Sequence, residues 1–167
     1  LLIIAGIIII ITAAYLAVSI ISFERQVDGE VRDLCHRAEV TRTEPLPTER
    51  ISELPEPVRR YIEYAIPDGT EPLRSVRIKQ TGEFRTDPAG KWMPLRAEQY
   101  FSAGYPAFIW HARIKFLPGL WISARDRYDQ KQGNMLIKIL SSINIADAKG
   151  PEMDLSSLHR YIGEMPW

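Results

Sequence analysis

Ser75 to Asp129 reads SVRIKQTGEFRTDPAGKWMPLRAEQYFSAGYPAFIWHARIKFLPGLWISARDRYD. Apolar and polar residues alternate through most of it, the period of strands that bury one face. Val76, Ile78, Gly82 and Phe84 fall on one side of the first strand, with Arg77, Lys79, Glu83 and Arg85 on the other. Asp87-Pro88-Ala89-Gly90, Ala103-Gly104-Tyr105-Pro106 and Pro118-Gly119 carry turn chemistry. The spacing predicts strands over Ser75–Thr86, Trp92–Ser102, Ala107–Phe116 and Trp121–Asp129. A break around Gly133-Asn134 leads into a fifth over Met135–Ile145. Links this short favour antiparallel neighbours. The expected core is a five-stranded meander with an unpaired edge.

On the carboxyl side, Gly150-Pro151 ends the sheet and Glu152 to Met165 reads as a helix with Leu155, Leu158 and Ile162 on one face. On the amino side, Pro55 and Pro57 open a helix, since prolines are tolerated in a first turn. Val58, Tyr61, Ile62 and Ala65 share its face, Pro67 stops it and Asp68-Gly69 turns the chain. Thr48 caps a short turn through Leu54, after a Pro-containing linker from Thr41 to Pro47.

Leu1 to Phe23, LLIIAGIIIIITAAYLAVSIISF, contains no charge. A helix needs roughly 20 apolar residues to cross a hydrocarbon core. The run exceeds the roughly 7–15 apolar residues of a secretory signal, and no small-x-small site follows. A lipobox is excluded because Asp33 and Leu34 precede Cys35. The lipid bilayer is therefore an expected partner, through Leu1 to Phe23. Val27, Val31 and Leu34, three and four apart, extend the helix as an amphipathic stalk. Glu24 to Glu44 holds slightly more acids than bases, unlike a cytoplasmic flank, so the soluble part is expected outside the cytoplasm. The division is a membrane helix at 1–23, stalk and linker at 24–47, and an α+β domain at 48–167.

Lys+Arg and Asp+Glu are equal at 21 each, for zero net charge. Without a basic block, nucleic acid is excluded as a partner. The single cysteine, Cys35, cannot form an internal disulfide. Cys35 and His36 read as a partly exposed helix surface. With His111 and His159 they give no zinc spacing. No phosphate loop, dinucleotide fingerprint or nucleophile elbow occurs, so no cofactor or metal is expected.

Strand periodicity places Gln80, Gln99, Trp110 and Asp126 among the apolar side chains of one sheet face. Folding about the turns aligns the four in a belt. One reading makes them polar handles in an apolar, ligand-binding pocket. Another has Asp126 tie the core by bonding to a neighbouring Tyr, Gln or Arg, and a third leaves it exposed. Glu152 or Glu164 could pair with Asp126 as enzymatic carboxylates. Arg77, Lys79, Arg113, Lys115, Arg125 and Arg127 share the opposite face with His111. That face suits either anionic headgroups or water, balanced by Glu83 and Glu98. Trp92 and Trp121, near strand ends, read as core or as membrane-interface residues, and Trp110 and Trp167 as core or rim.

The stretches LPEPVRRYIEYAIPDGTEPLRSVRIKQTGEFR, AEQYFSAGYPAFIWHARI, PGLWISARDRY and ADAKGPEMDLSSLHRYIGEMPW together resemble a bacterial family known only as a domain of unknown function. The resemblance covers Leu54 to Trp167. It implies that the chain is an amino-terminal portion of a longer arrangement with more strands, and it brings no catalytic residues. The layout is similar to the open, curved half-barrel of lipoprotein carriers, a likeness of fold alone. The expected fold class is α+β: a transmembrane helix, then a curved antiparallel meander flanked by helices. The expected function is a membrane-anchored binding domain for a hydrophobic small molecule or lipid, in a bacterial cell membrane. The alternatives are a tethered enzyme using Asp126 with a carboxylate or His, and a non-catalytic partner platform.

Overall fold

A computed structural model describes residues 1–41, 48–66 and 70–164. The linker up to Pro47, the stop at Pro67, the turn at Asp68-Gly69 and Trp167 lie outside the described residues. Helix α1 (Leu2–Val40) comes first, then α2 (Thr48–Ser52) and α3 (Glu56–Ala65). Strands β1 (Ser75–Phe84), β2 (Met93–Ser102), β3 (Ala107–Leu117), β4 (Leu120–Asp129), β5 (Gln132–Ile139) and β6 (Ile143–Lys149) precede α4 (Pro151–Glu164). None of the α3 residues is fully buried, and on its shared apolar face Val58 and Tyr61 are exposed while Ile62 is half-buried.

Helix α1 is unbroken over 39 residues, roughly 58 Å at about 1.5 Å per residue. Apolar span and stalk are one rod. Its first part is long and apolar enough to cross a membrane, and Ile3 and Ile10 there are 80% and 69% exposed. From Phe23 onward a stripe of Phe23, Val27, Val31, Leu34 and Ala38 turns inward. Those spacings of three and four put one face of the helix against the sheet. Phe23 and Val27 pack on Leu136, and Leu34 packs on Ala107 and Ile109.

The sheet is one open antiparallel meander in the order β1-β2-β3-β4-β5-β6. It has six strands where five were expected. The segment read as one strand over Met135–Ile145 is divided by Leu140 and Ser141, both with positive φ (51° and 57°). The expected break at Gly133-Asn134 is instead inside β5, and the chain reverses at Gln130 and Lys131 (φ 51° and 66°). Positive φ at both central residues gives a hairpin turn whose twist matches that of the strands.

Gly133 is glycine for a packing reason. A Cβ there would lie 2.4 Å from the Met153 carbonyl oxygen and 2.6 Å from the Ser157 hydroxyl. Helix α4 thus lies directly on the β5 backbone, and Gly133 donates its N–H to Asp154 Oδ1 at 2.7 Å. Tyr161 completes a core with Phe101, Phe108 and Tyr128, and its hydroxyl donates to the Ser102 carbonyl at 2.9 Å. Replacing Gly133 with Ala should destabilise the domain by about 1–3 kcal/mol through overpacking. Urea unfolding of the full chain in mild detergent, followed by tryptophan emission, measures the loss; an unchanged midpoint would mean α4 is not seated there.

Candidate functional site

The four belt residues lie on one face, the face that carries α4. Gln99 pairs with Trp110 across β2–β3 and Trp110 with Asp126 across β3–β4. Gln80 is set one row higher, opposite Ala97, and reaches Gln99 diagonally. The indole of Trp110 donates to Gln80 Oε1 at 2.8 Å. The Gln80 amide donates to Gln99 Oε1 at 3.4 Å, and the Gln99 amide donates to Glu164 Oε2 at 2.5 Å. Arg160 donates to the other Glu164 oxygen at 2.9 Å and to Asp126 Oδ2 at 2.5 Å. Three strands are thereby joined in series to two carboxylates, with one guanidinium from α4 between them.

The positions of Arg160 and Glu164, four apart on α4, put both on the sheet side. Sequence reasoning missed Arg160. Its signal was available, since it precedes Tyr161 on the helix expected to cover this face. The guanidinium also stacks near the Phe108 and Trp110 rings, 4.9 and 5.4 Å from their centroids. Burial pushes the Asp126 carboxyl above its ordinary value, against the downward pull of Arg160. Asp126 is 3% exposed, and its Oδ1 has no hydrogen-bond partner among the described residues. Glu164 meets Asp126 through Arg160. His159 is exposed on α4, and His111 occupies the opposite face of the sheet.

Above the belt, the apolar face carries a row of small side chains, Ala97, Ala112 and Ala124, continued by Ile137. The next row is Gly82, Leu95, Ile114, Ile122 and Ile139. The described part of α4 ends at the belt, and no described helix lies over these two rows. Ala97, Ala112, Ala124 and Ile114 are nonetheless buried, closed over by Leu95, Trp110 and Ile137 around them. A Cβ at Gly82 would meet nothing within 4 Å.

The opposite, charged face is solvated at Arg77, Lys79, Arg113 and Lys115 and covered at Arg125. Helix α1 lies across it and supplies the counter-charges. Glu24 accepts from Arg113 at 2.9 Å and lies 3.9 Å from His111 Nε2. Glu30 is 3.3 Å from the buried Arg125, whose guanidinium burial drives below its ordinary pKa. Arg37 and Arg127 donate to Asp129 at 2.5 and 2.9 Å. Burial alone would raise the Asp129 carboxyl, but these two arginines outweigh it and hold the group below its ordinary value. Burial keeps His111 below its ordinary value, despite Glu24, so its ring is neutral at pH 7 and packs edge-on against Phe23. Glu98 pairs with Arg77 as expected and accepts from Tyr100. Burial, with Glu98, pushes that phenol up to about 12. An open groove of about 830 Å³ remains between α1 and this face, beside Lys79, Glu98, Tyr100 and Arg113. Cys35 is half-buried against Tyr105, and burial raises its thiol. Among the described residues, no three His, Cys, Asp or Glu side chains converge on a metal position.

These features define an α+β domain, an open antiparallel sheet held between an apolar amino-terminal helix and a short carboxyl-side one. Residues 44–167 match the family described as Family of unknown function (DUF6544), and the chain belongs to that family. No curated protein and no solved structure matches the chain.

Arg160→Met should leave Asp126 an uncompensated buried charge, costing about 3 kcal/mol at neutral pH, the low end for a broken buried pair because Arg160 is partly exposed. The raised Asp126 pKa fixes the sign of the pH dependence. Losing the downward pull of Arg160 raises the folded Asp126 pKa further in the variant, so the deficit is full while Asp126 is ionised in both proteins and narrows as pH falls through the variant's higher value. Urea unfolding of wild type and variant across pH 4–7 checks this, and a deficit independent of pH would place its cause outside Asp126.

Proposed function

We propose that the chain is a membrane-anchored domain that binds an apolar or lipid-like ligand on the sheet face carrying α4. One observation carries the reading: two rows of apolar side chains, unoccupied by any described element, border a buried belt of polar groups. That makeup, mostly apolar with few polar handles, is what ligand sites share. The belt's own hydrogen bonds are largely spent on one another and on α4. Free capacity remains at Asp126 Oδ1 and at the partly exposed Arg160 and Glu164. An amphiphile would lay its chain over Ala97, Ala112 and Ala124, with its polar end at Arg160 and Gln80. Leu1 to Phe23 is the anchor, as a single span of a bacterial cell membrane with the domain on the extracytoplasmic side.

The carboxylates Asp126 and Glu164 have the composition of an acid–base pair, but Arg160 bonds to both. That engagement favours holding over turnover.

Trp110 gives the test. In full chain with Trp92, Trp121 and Trp167 replaced by Phe, Trp110 reports on the belt. It lies about 23 Å along β3 from Leu117 at roughly 3.3 Å per residue. After reconstitution with phospholipid brominated on its acyl chains, Trp110 emission should fall relative to unbrominated lipid. Native mass spectrometry of the same sample should find lipid retained. Equal emission in both lipids would overturn the reading.

A further inference from the structure

The β1–β2, β3–β4 and β5–β6 turns share one end of the sheet, where Phe84 pairs with Met93, Leu117 with Leu120 and Ile139 with Ile143. Helix α1 runs towards that end in reverse chain order. Leu34 packs at Ala107, Glu24 reaches Arg113, and Tyr15 lies beside Ser142 and Lys138. The apolar run therefore overlaps the sheet. Its segment from Tyr15 to Phe23, roughly 12 Å of helix, lies alongside the hairpin ends.

Along this segment Val18 and Ile21 are 65% and 50% exposed, and Tyr15, although it meets the hairpin, is still 61% exposed. A helix leaving the bilayer at Tyr15 would strand these side chains in water. A helix leaving at Phe23 carries the adjacent hairpin ends down into the headgroup layer, which adds only about 5–8 Å to each side of the hydrocarbon core. The hairpin ends have the composition for that place. Leu117 and Ile143 are 56% and 61% exposed, and Lys115 and Lys138 stand beside them. No acidic residue occurs between Arg113 and Arg125, or between Lys131 and Ala146.

We propose that the hairpin ends at Leu117–Leu120 and Leu140–Ile143 form a second membrane contact, with anionic phospholipid as the partner. Leu117 and Ile143 enter the apolar boundary, and Lys115 and Lys138 meet the phosphates. The proposal rests on α1 spanning the bilayer, the anchoring part of the reading above, and not on any ligand held at the belt. It places the upper, uncovered rows of the apolar face at the bilayer surface.

Full chain carrying Cys35→Ser and a nitroxide at Leu117→Cys, reconstituted in phosphatidylcholine vesicles with and without phosphatidylglycerol, tests it. The Leu117 label should favour oxygen over a water-soluble nickel complex when phosphatidylglycerol is present, and lose that preference with Lys115→Glu. A label at Gln130→Cys, at the other end of the sheet, should remain aqueous. A Leu117 label as open to nickel as the Gln130 label would overturn the contact. Equal burial with and without phosphatidylglycerol would overturn its anionic preference. A label at Val18→Cys separates the failures: aqueous there, it overturns the anchor itself; in lipid there, it leaves the anchor standing whatever Leu117 reports.

Discussion

The docking of α1 on the charged face of the sheet is the constraint from which the rest follows. Phe23, Val27, Leu34 and Ala38 are almost completely removed from solvent, and each large apolar side chain buried this way contributes about 1.5–3 kcal/mol. The exposed Glu24–Arg113 pair beside them is worth about 0–1 kcal/mol, and for the buried charges of Arg125 and Asp129 desolvation offsets most of the attraction. The apolar stripe therefore holds the helix down. The acid–base contacts at Glu24, Glu30 and Arg37 select its register, because sliding by one turn would set Glu24 and Glu30 away from Arg113 and Arg125. A sheet face that would otherwise carry a large positive field is neutralised by the chain's own stalk.

The two faces of the sheet solve the same problem in different ways. On the charged face, a long helix brings separate counter-ions to separate arginines. On the apolar face, polar atoms are few, and they are linked in sequence from Trp110 through Gln80 and Gln99 to Glu164, with Arg160 joining Glu164 to Asp126. Each glutamine accepts at its oxygen and donates from its nitrogen, so each makes full use of a side chain with both capacities. Burying such groups is costly unless they are bonded, and α4 supplies the final acceptor and the only cation. The end of that helix therefore has two duties, sealing the Tyr161 core and satisfying the belt.

Much of this was legible in the residues. Period-two alternation located β1 to β4 within a residue or two, and turn chemistry set their register closely enough to align Gln99, Trp110 and Asp126. The errors had physical causes. Leu140-Ser141-Ser142 carries no Gly, Pro, Asn or Asp, so one hairpin was read as a single strand. Gly133 looked like turn punctuation because a glycine needed for helix contact is indistinguishable in sequence from one needed for positive φ. Gln80 meets Gln99 diagonally, not squarely, because a fold centred on Asp87–Gly90 sets it opposite Ala97. That α1 would cover part of the charged face, around Arg125, was not read, since nothing in a strand's own pattern says what lies over it. The clue lay in the stalk, where Val27, Val31 and Leu34 alternate with Glu24 and Glu30.

If Leu1 to Phe23 crosses a bilayer as proposed, span and stalk form one unbroken helix, and the azimuth of the domain about the membrane normal is coupled to residue count inside the bilayer. Each residue of an α-helix turns the chain by about 100° and lifts it by about 1.5 Å. A single insertion or deletion between the bilayer centre and Phe23 would therefore swing the whole sheet by more than a quarter of a revolution relative to anything fixed in the membrane. Substitutions in this greasy stretch change only its surface, whereas its length sets the compass bearing of everything outside.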